Sequence, residues 1–244
     1  MLNLSFIRKG ILALLVGATA LGACSKDSDN PEVPKGNYGV FIGGVELTSE
    51  NYQNINSTNF PDLKSGTVTY DPIKRVLTLD GVTVEATGKE VAAIKQPEGT
   101  TATLTIVLKN NNTLNSGESS GIYVDAASLR ITGNGSLTIN PNKEKAGIYV
   151  KEYLTIDDVY SIEAKAIIWV KNTLTINKSN VYVTGKGNPA FLAKNPIELT
   201  NCKVVFPKKG VSQKEVELTF EKESYYTFVE KGLPCEEVKI EISK

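Results

Sequence analysis

The chain has 244 residues, 27 basic and 27 acidic side chains, and no histidine. Balanced charge offers no cationic surface for nucleic acid. The missing histidine removes Ser-His-Asp and Cys-His nucleophiles, a histidine general base and histidine-ligated zinc.

Arg8 and Lys9 precede an apolar run, Ile11 to Leu21, that is too short to cross a bilayer as a permanent helix, so residues 1–23 read as a signal peptide. Leu21-Gly22-Ala23-Cys24 resembles the lipobox of bacterial lipoproteins, in which cleavage before the cysteine frees it for acylation. The resemblance makes Cys24 the lipid anchor and the membrane a partner through it. Each buried acyl methylene contributes roughly 0.8 kcal/mol, so a multiply acylated cysteine is held firmly. Residues 24–37 contain Ser25-Lys26-Asp27-Ser28-Asp29-Asn30-Pro31 and little that is apolar, the composition of a flexible tether. Ser25 directly after the cysteine resembles lipoproteins sorted to the outer membrane. The acidic stretch resembles export tags of surface-exposed ones, which implies the cell surface of a Gram-negative bacterium.

Tyr38 to Leu47 alternates in polarity around Gly43-Gly44, a hairpin signal, and residues 38–65 are expected to form an N-terminal cap. From residue 66 to 210 one run recurs: Leu77-Thr78-Leu79, Leu104-Thr105-Ile106, Leu129-Arg130-Ile131, Leu154-Thr155-Ile156, Leu174-Thr175-Ile176 and Ile197-Glu198-Leu199. Apolar, polar, apolar is a strand period, and steps of 20 to 27 residues between copies match one β-solenoid coil. Gly121-Ile122-Tyr123-Val124, Gly147-Ile148-Tyr149-Val150 and Ile167-Ile168-Trp169-Val170 keep phase upstream. Val82-Thr83-Val84, Leu137-Thr138-Ile139, Val181-Tyr182-Val183 and Val204-Val205-Phe206 do so downstream. Asp80-Gly81, Gly133-Asn134-Gly135, Asn177-Lys178-Ser179-Asn180 and Thr200-Asn201 supply residues suited to corners. The expected fold is all-β: a right-handed, single-stranded parallel β-helix of about six coils, with the N-terminal cap and a strand-rich C-terminal tail over residues 211–244. A sandwich or propeller is the rival, but neither has a reason to keep register across three strands per period.

Gly43-Gly44-Val45-Glu46-Leu47-Thr48-Ser49, then Thr69-Tyr70-Asp71-Pro72 running into Leu77-Thr78-Leu79, and the Gly-Ile-Tyr-Val and Leu-Thr-Ile coils resemble a group of secreted bacterial β-helix proteins described as carbohydrate-binding-like. The resemblance covers roughly residues 38 to 210. It implies a β-helix, and through studied relatives a polysaccharide ligand such as pectin; it supplies no catalytic motif.

If the aliphatics of these coils point inward, the two-residue period sends Tyr123, Tyr149 and Trp169 outward in line, with Ala93 and Leu192 expected on either side. This strip is the candidate ligand-binding site for a glycan or a protein partner. The alternative is that the rings stack on one another or are covered by a tail carrying Tyr225, Tyr226 and Phe228. Asp157-Asp158 reads as turn chemistry, with a catalytic or calcium role as the lesser alternative. Lysines 143, 145, 151, 165, 171, 178 and 186 either attract an acidic polysaccharide or keep the solenoid soluble, and Glu144, Glu152 and Glu163 interrupt them. Cys202 alternates with Val204 and Phe206 toward the interior, and a bond to Cys235 stays open. The expected function is a non-catalytic glycan-binding or adhesion module with no cofactor and no metal. A polysaccharide lyase or hydrolase and a structural component are the alternatives.

Overall fold

A computed structural model describes residues 31–141, 145–208, 210–218 and 222–243. The signal peptide, Cys24 and the first half of the tether expected from the sequence lie outside them, as do Lys143, Glu144 and Phe220.

β1 (Asn37–Ile42) and β2 (Val45–Thr48) form the expected antiparallel hairpin, turned by Gly43 and Gly44, both at positive φ. β3 (Leu63–Asp71) then runs antiparallel to β4 (Val76–Ala86), where the winding begins. β5 (Ile94–Gln96), β6 (Leu104–Lys109) and β7 (Asn111–Ser116) make the three sides of a coil. β8 (Ile122–Val124) with β9 (Leu129–Pro141), and β10 (Ile148–Val150) with β11 (Leu154–Ala164), make the next two; β9 and β11 each run unbroken through two sides. β12 (Ile168–Val170), β13 (Leu174–Asn177) and β14 (Val181–Thr184) follow, then β15 (Phe191–Ala193), β16 (Glu198–Thr200) and β17 (Cys202–Phe206). The tail carries β18 (Val211–Leu218), β19 (Glu223–Glu230), β20 (Leu233–Pro234) and β21 (Glu237–Ile242).

The first face of the solenoid is the parallel stack β5, β8, β10, β12, β15. β4, β6, β9, β11, β13 and β16 stack as the second face. The far halves of β4, β9 and β11 join β7 and β14 in the third. Six rungs on one face and five on each of the others amount to about five turns, one fewer than the repeated triplet suggests.

Register follows the sequence repeat closely. Leu104, Leu129, Leu154 and Leu174 occupy one parallel row, and Ile106, Ile131, Ile156 and Ile176 the next, all with no more than 1 % exposure. The exception is the first copy: Leu77 pairs with Ile106, two residues on from the expected Leu104. A slip of two preserves the pleat, so the same side chains stay inside and the core does not register the change.

Between the second and third faces each coil turns on residues at positive φ: Gly81, Asn110, Gly133, Asp158, Lys178 and Asn201. The corner leaves ladder groups unpaired, and buried polar side chains take them up. Val82 N–H donates to Asn112 Oδ1 at 2.9 Å, while Asn112 Nδ2 donates to Lys109 O at 2.9 Å and Ser136 O at 3.1 Å, so one asparagine joins three coils. Ser179 Oγ likewise accepts Val159 N–H at 3.0 Å and donates to Asn177 O at 2.7 Å. Cys202 is partly buried and takes the equivalent place above Ser179, with its Sγ accepting Ser179 N–H at 3.3 Å. Cys202 and Cys235 are both free thiols.

Open sheet edges invite association, and here antiparallel strands close most of them. β1 lies on β5 and β3 on β4; β19 meets β15 at Ala193 and Tyr226; β21 pairs with β14 from Val181–Ile240 to Thr184–Glu237. This last strand corrects an expectation. Val204 and Phe206 do not stack on Val181 and Val183, because β21 inserts between them and β17 pairs with its far side. A reversed strand cannot template another parallel coil, so the insertion ends the winding.

Two substitutions test the corner chemistry by chemical unfolding. Asn112→Ala leaves Val82 N–H unpaired in the interior and is expected to cost about 1–3 kcal/mol, whereas Asn115→Ala, on the outside of the same strand, costs clearly less. Gly133→Ala places a Cβ at φ +108° against the Leu108 carbonyl and is expected to destabilise by about 1–3 kcal/mol; stability equal to wild type would contradict this corner geometry.

Candidate functional site

On the first face β8, β10 and β12 bury their outer two residues and half-bury the middle one. This places Tyr123, Tyr149 and Trp169 on consecutive rungs and projects them from the wall, as the two-residue period requires. Leu192 continues the row at one end. At the other end the neighbour is Lys95, not Ala93, which is fully buried. Ile94 pairs with Ile122, so Ala93 takes the place of Gly121 before the strand and not that of Tyr123, and that coil lacks the aromatic that marks the later ones.

The rings use their surfaces on one another. Tyr123 and Tyr149 are stacked with centroids 5.0 Å apart and an interplanar angle of 15°. Trp169 meets Tyr149 edge-on at 5.4 Å, and Tyr225 of β19 meets Trp169 edge-on at 6.0 Å. Tyr225 is fully buried and, with Ala146, Ile167 and Leu192, forms a second hydrophobic cluster outside the solenoid wall, against which Tyr149 and Trp169 pack. Self-stacking therefore runs along the whole row, and tail cover occurs at its Trp169 end. Phe228 serves a different purpose: it packs within the core on Phe191 at 5.7 Å. Ion pairs lock the covered end. Glu223 accepts the Tyr225 hydroxyl at 2.9 Å and lies 3.5 Å from Lys194 and 4.0 Å from Lys171, whose ammonium sits 5.1 Å from the Trp169 centroid. The Tyr225 hydrogen bond, then the charges of Lys171 and Lys194, pull the Glu223 carboxyl below its ordinary value.

The other end is open. Successive coils differ in length, and the difference lies in the turns: residues 87–93, 97–103 and 117–121 make long connections around Tyr123, whereas 165–167 and 171–173 are short turns around Trp169. The long turns wall a depression of about 450 Å³ lined by Glu90, Lys95, Pro97, Glu98, Glu118, Ser119, Tyr123, Asp125 and Lys145. Tyr123 stacks on Tyr149, and the Lys95 ammonium lies over the Tyr123 ring, 5.9 Å from its centroid. Lys151 bridges the rim, 3.6 Å from Glu98 and 3.8 Å from Asp125. The depression thus combines an apolar ring, carboxylates that accept hydrogen bonds, and ammonium groups that donate them.

Of the residues singled out in the sequence, the structure joins Tyr123, Tyr149 and Trp169 into one row, of which Tyr123 lines the depression, and adds Lys145 to its lining. The rim acids were not singled out. Their signal was the long steps of the early coils, since insertions in a repeat array fall in turns on one side. Asp157 accepts Arg130 Nη2 at 2.6 Å and Asn177 Nδ2 at 2.8 Å, and Asp158 pairs with Lys178 at 2.9 Å across the corner, which is turn and ladder chemistry.

Burial, then the charge of Asp125, with Tyr149, a hydrogen bond to Asp125 and Glu98 adding to it, pushes the Tyr123 hydroxyl up to about 12. The folded state therefore holds this proton more tightly than the unfolded chain. Its contribution to stability is whole below the ordinary tyrosine value of about 10 and is lost as pH rises through about 12. Titration by tyrosinate absorbance should show late ionisation in the difference between wild type and Tyr123→Phe, and a difference spectrum confined to the ordinary range would contradict the burial described.

A family model for carbohydrate-binding domain-containing proteins matches residues 62–205, more than half of the chain. No curated protein and no solved structure matches it. The matched span runs from the start of β3 into β17 and so contains every coil, the aromatic row and the depression. The chain belongs to the family of carbohydrate-binding domain-containing proteins.

Proposed function

We propose that this protein is a lipid-anchored bacterial surface module that binds glycan without transforming it, at the Tyr123 end of the aromatic row. The observation that carries the reading is Tyr123, the end of the aromatic row, lining a depression rimmed by acceptors and donors. A pyranose presents an apolar C–H face and a hydroxyl edge, and such a site meets both at once: the face on the ring, the edge on the rim. The stacked rings behind Tyr123 fix its orientation, so little side-chain freedom is lost on binding. Support for a binding role over catalysis comes from the family and from Asp157 and Asp158, whose carboxylates are engaged in the corner ladders.

The Cys24 lipobox and the tether that follows it support anchorage at the membrane.

Glycan binding to the full chain in detergent micelles is expected to weaken about tenfold, or about 1.4 kcal/mol, in Tyr123→Ala. It should stay unchanged in Tyr160→Ala, a ring 69 % exposed at a corner away from the depression. Release of shortened products from a bound glycan would defeat the non-catalytic reading. Cys24→Ser is expected to shift the chain from the membrane fraction to the soluble fraction, and continued membrane partitioning of that variant would defeat the anchor.

A further inference from the structure

The charge of the rim says which glycans suit the site. Resting on glycan binding at Tyr123, we infer that the depression takes neutral sugar units and discriminates against polysaccharides built from uronic acids. Four carboxylates, Glu90, Glu98, Glu118 and Asp125, border it against the ammonium groups of Lys95 and Lys145. The nearby cation Lys151 is already shared between Glu98 and Asp125. Other lysines of the middle coils serve elsewhere: Lys171 stands at the covered end with Glu223, and Lys178 pairs with Asp158 on a different corner.

A uronate stacked on Tyr123 would bring a like charge among these carboxylates. A neutral pyranose instead gives them hydroxyl donors and gives Lys95 and Lys145 hydroxyl acceptors. Beside burial, which is the larger influence, Asp125 and Glu98 also oppose a negative charge on the Tyr123 hydroxyl. Of the lysines that suggest an acidic ligand when counted along the sequence, Lys145 and Lys151 stand at the depression, where together with Lys95 they are outnumbered by its four carboxylates.

The test measures binding to the full chain in detergent micelles at low salt. The probes are neutral gluco-, galacto-, manno- and xylo-oligosaccharides, oligogalacturonides of matched length and chitosan oligosaccharides. At least one neutral series is expected to bind, with oligogalacturonides at least tenfold weaker and the gap narrowing as salt screens the rim. Neutral binding should fall about tenfold in Tyr123→Ala and persist in Tyr123→Phe. The double variant Glu98→Gln, Asp125→Asn should raise oligogalacturonide binding relative to neutral. Preference for oligogalacturonides or chitosan, a ratio unmoved by the double variant, or neutral binding indifferent to Tyr123→Ala each overturns the inference while glycan binding itself stands. No binding by any series overturns the glycan reading and this inference together.

Discussion

The parallel backbone ladder between coils is the constraint from which the rest of the structure follows. No single coil pairs its own N–H and C=O groups or encloses its own aliphatics, so each depends on the one before and the one after. Stacking in strict register turns a residue repeated along the chain into a row in space. The buried leucine and isoleucine rows and the outward Tyr123, Tyr149 and Trp169 row are two results of one pairing scheme. A ladder that propagates must also be stopped, and antiparallel strands do this at both ends through β1, β3, β19 and β21.

The same scheme explains how much the sequence revealed. Leu104, Leu129, Leu154 and Leu174 lie in the row their spacing implies, because inward apolar and outward polar residues alternate without interruption there. The reading weakened where the pattern loses contrast. Leu77 pairs with Ile106 because a slip of two residues is invisible to an alternating pattern. Lys95 replaced Ala93 beside Tyr123 because Ile94-Lys95-Gln96 lacks the aromatic of the later coils, and its Gln96 turns inward to bond Thr100 O and Ala102 O. The tail was legible as strands, but nothing local to Val238 or Ile240 announces that they occupy the rung expected for Val204 and Phe206. That placement is a long-range choice between competing edges.

The candidate site shows a similar division. Aromatic identity was readable residue by residue, while accessibility depended on parts of the chain remote in sequence. Tyr225 closes one end of the row from more than fifty residues beyond Trp169. Turns 87–93, 97–103 and 117–121 open the other, and their acids have no meaning as a group until the coils are stacked.

Those turns carry a consequence for how such a protein diversifies. The wall of the solenoid is held by pairing rules that tolerate little change, but the connections around Tyr123 depart from the stack before they reach the rim and return after it. Their length and charge are therefore separable variables. A duplicated gene could rewrite the rim, exchanging Glu90, Glu98 or Glu118 or lengthening a connection, and acquire a new preference while inheriting an unaltered scaffold.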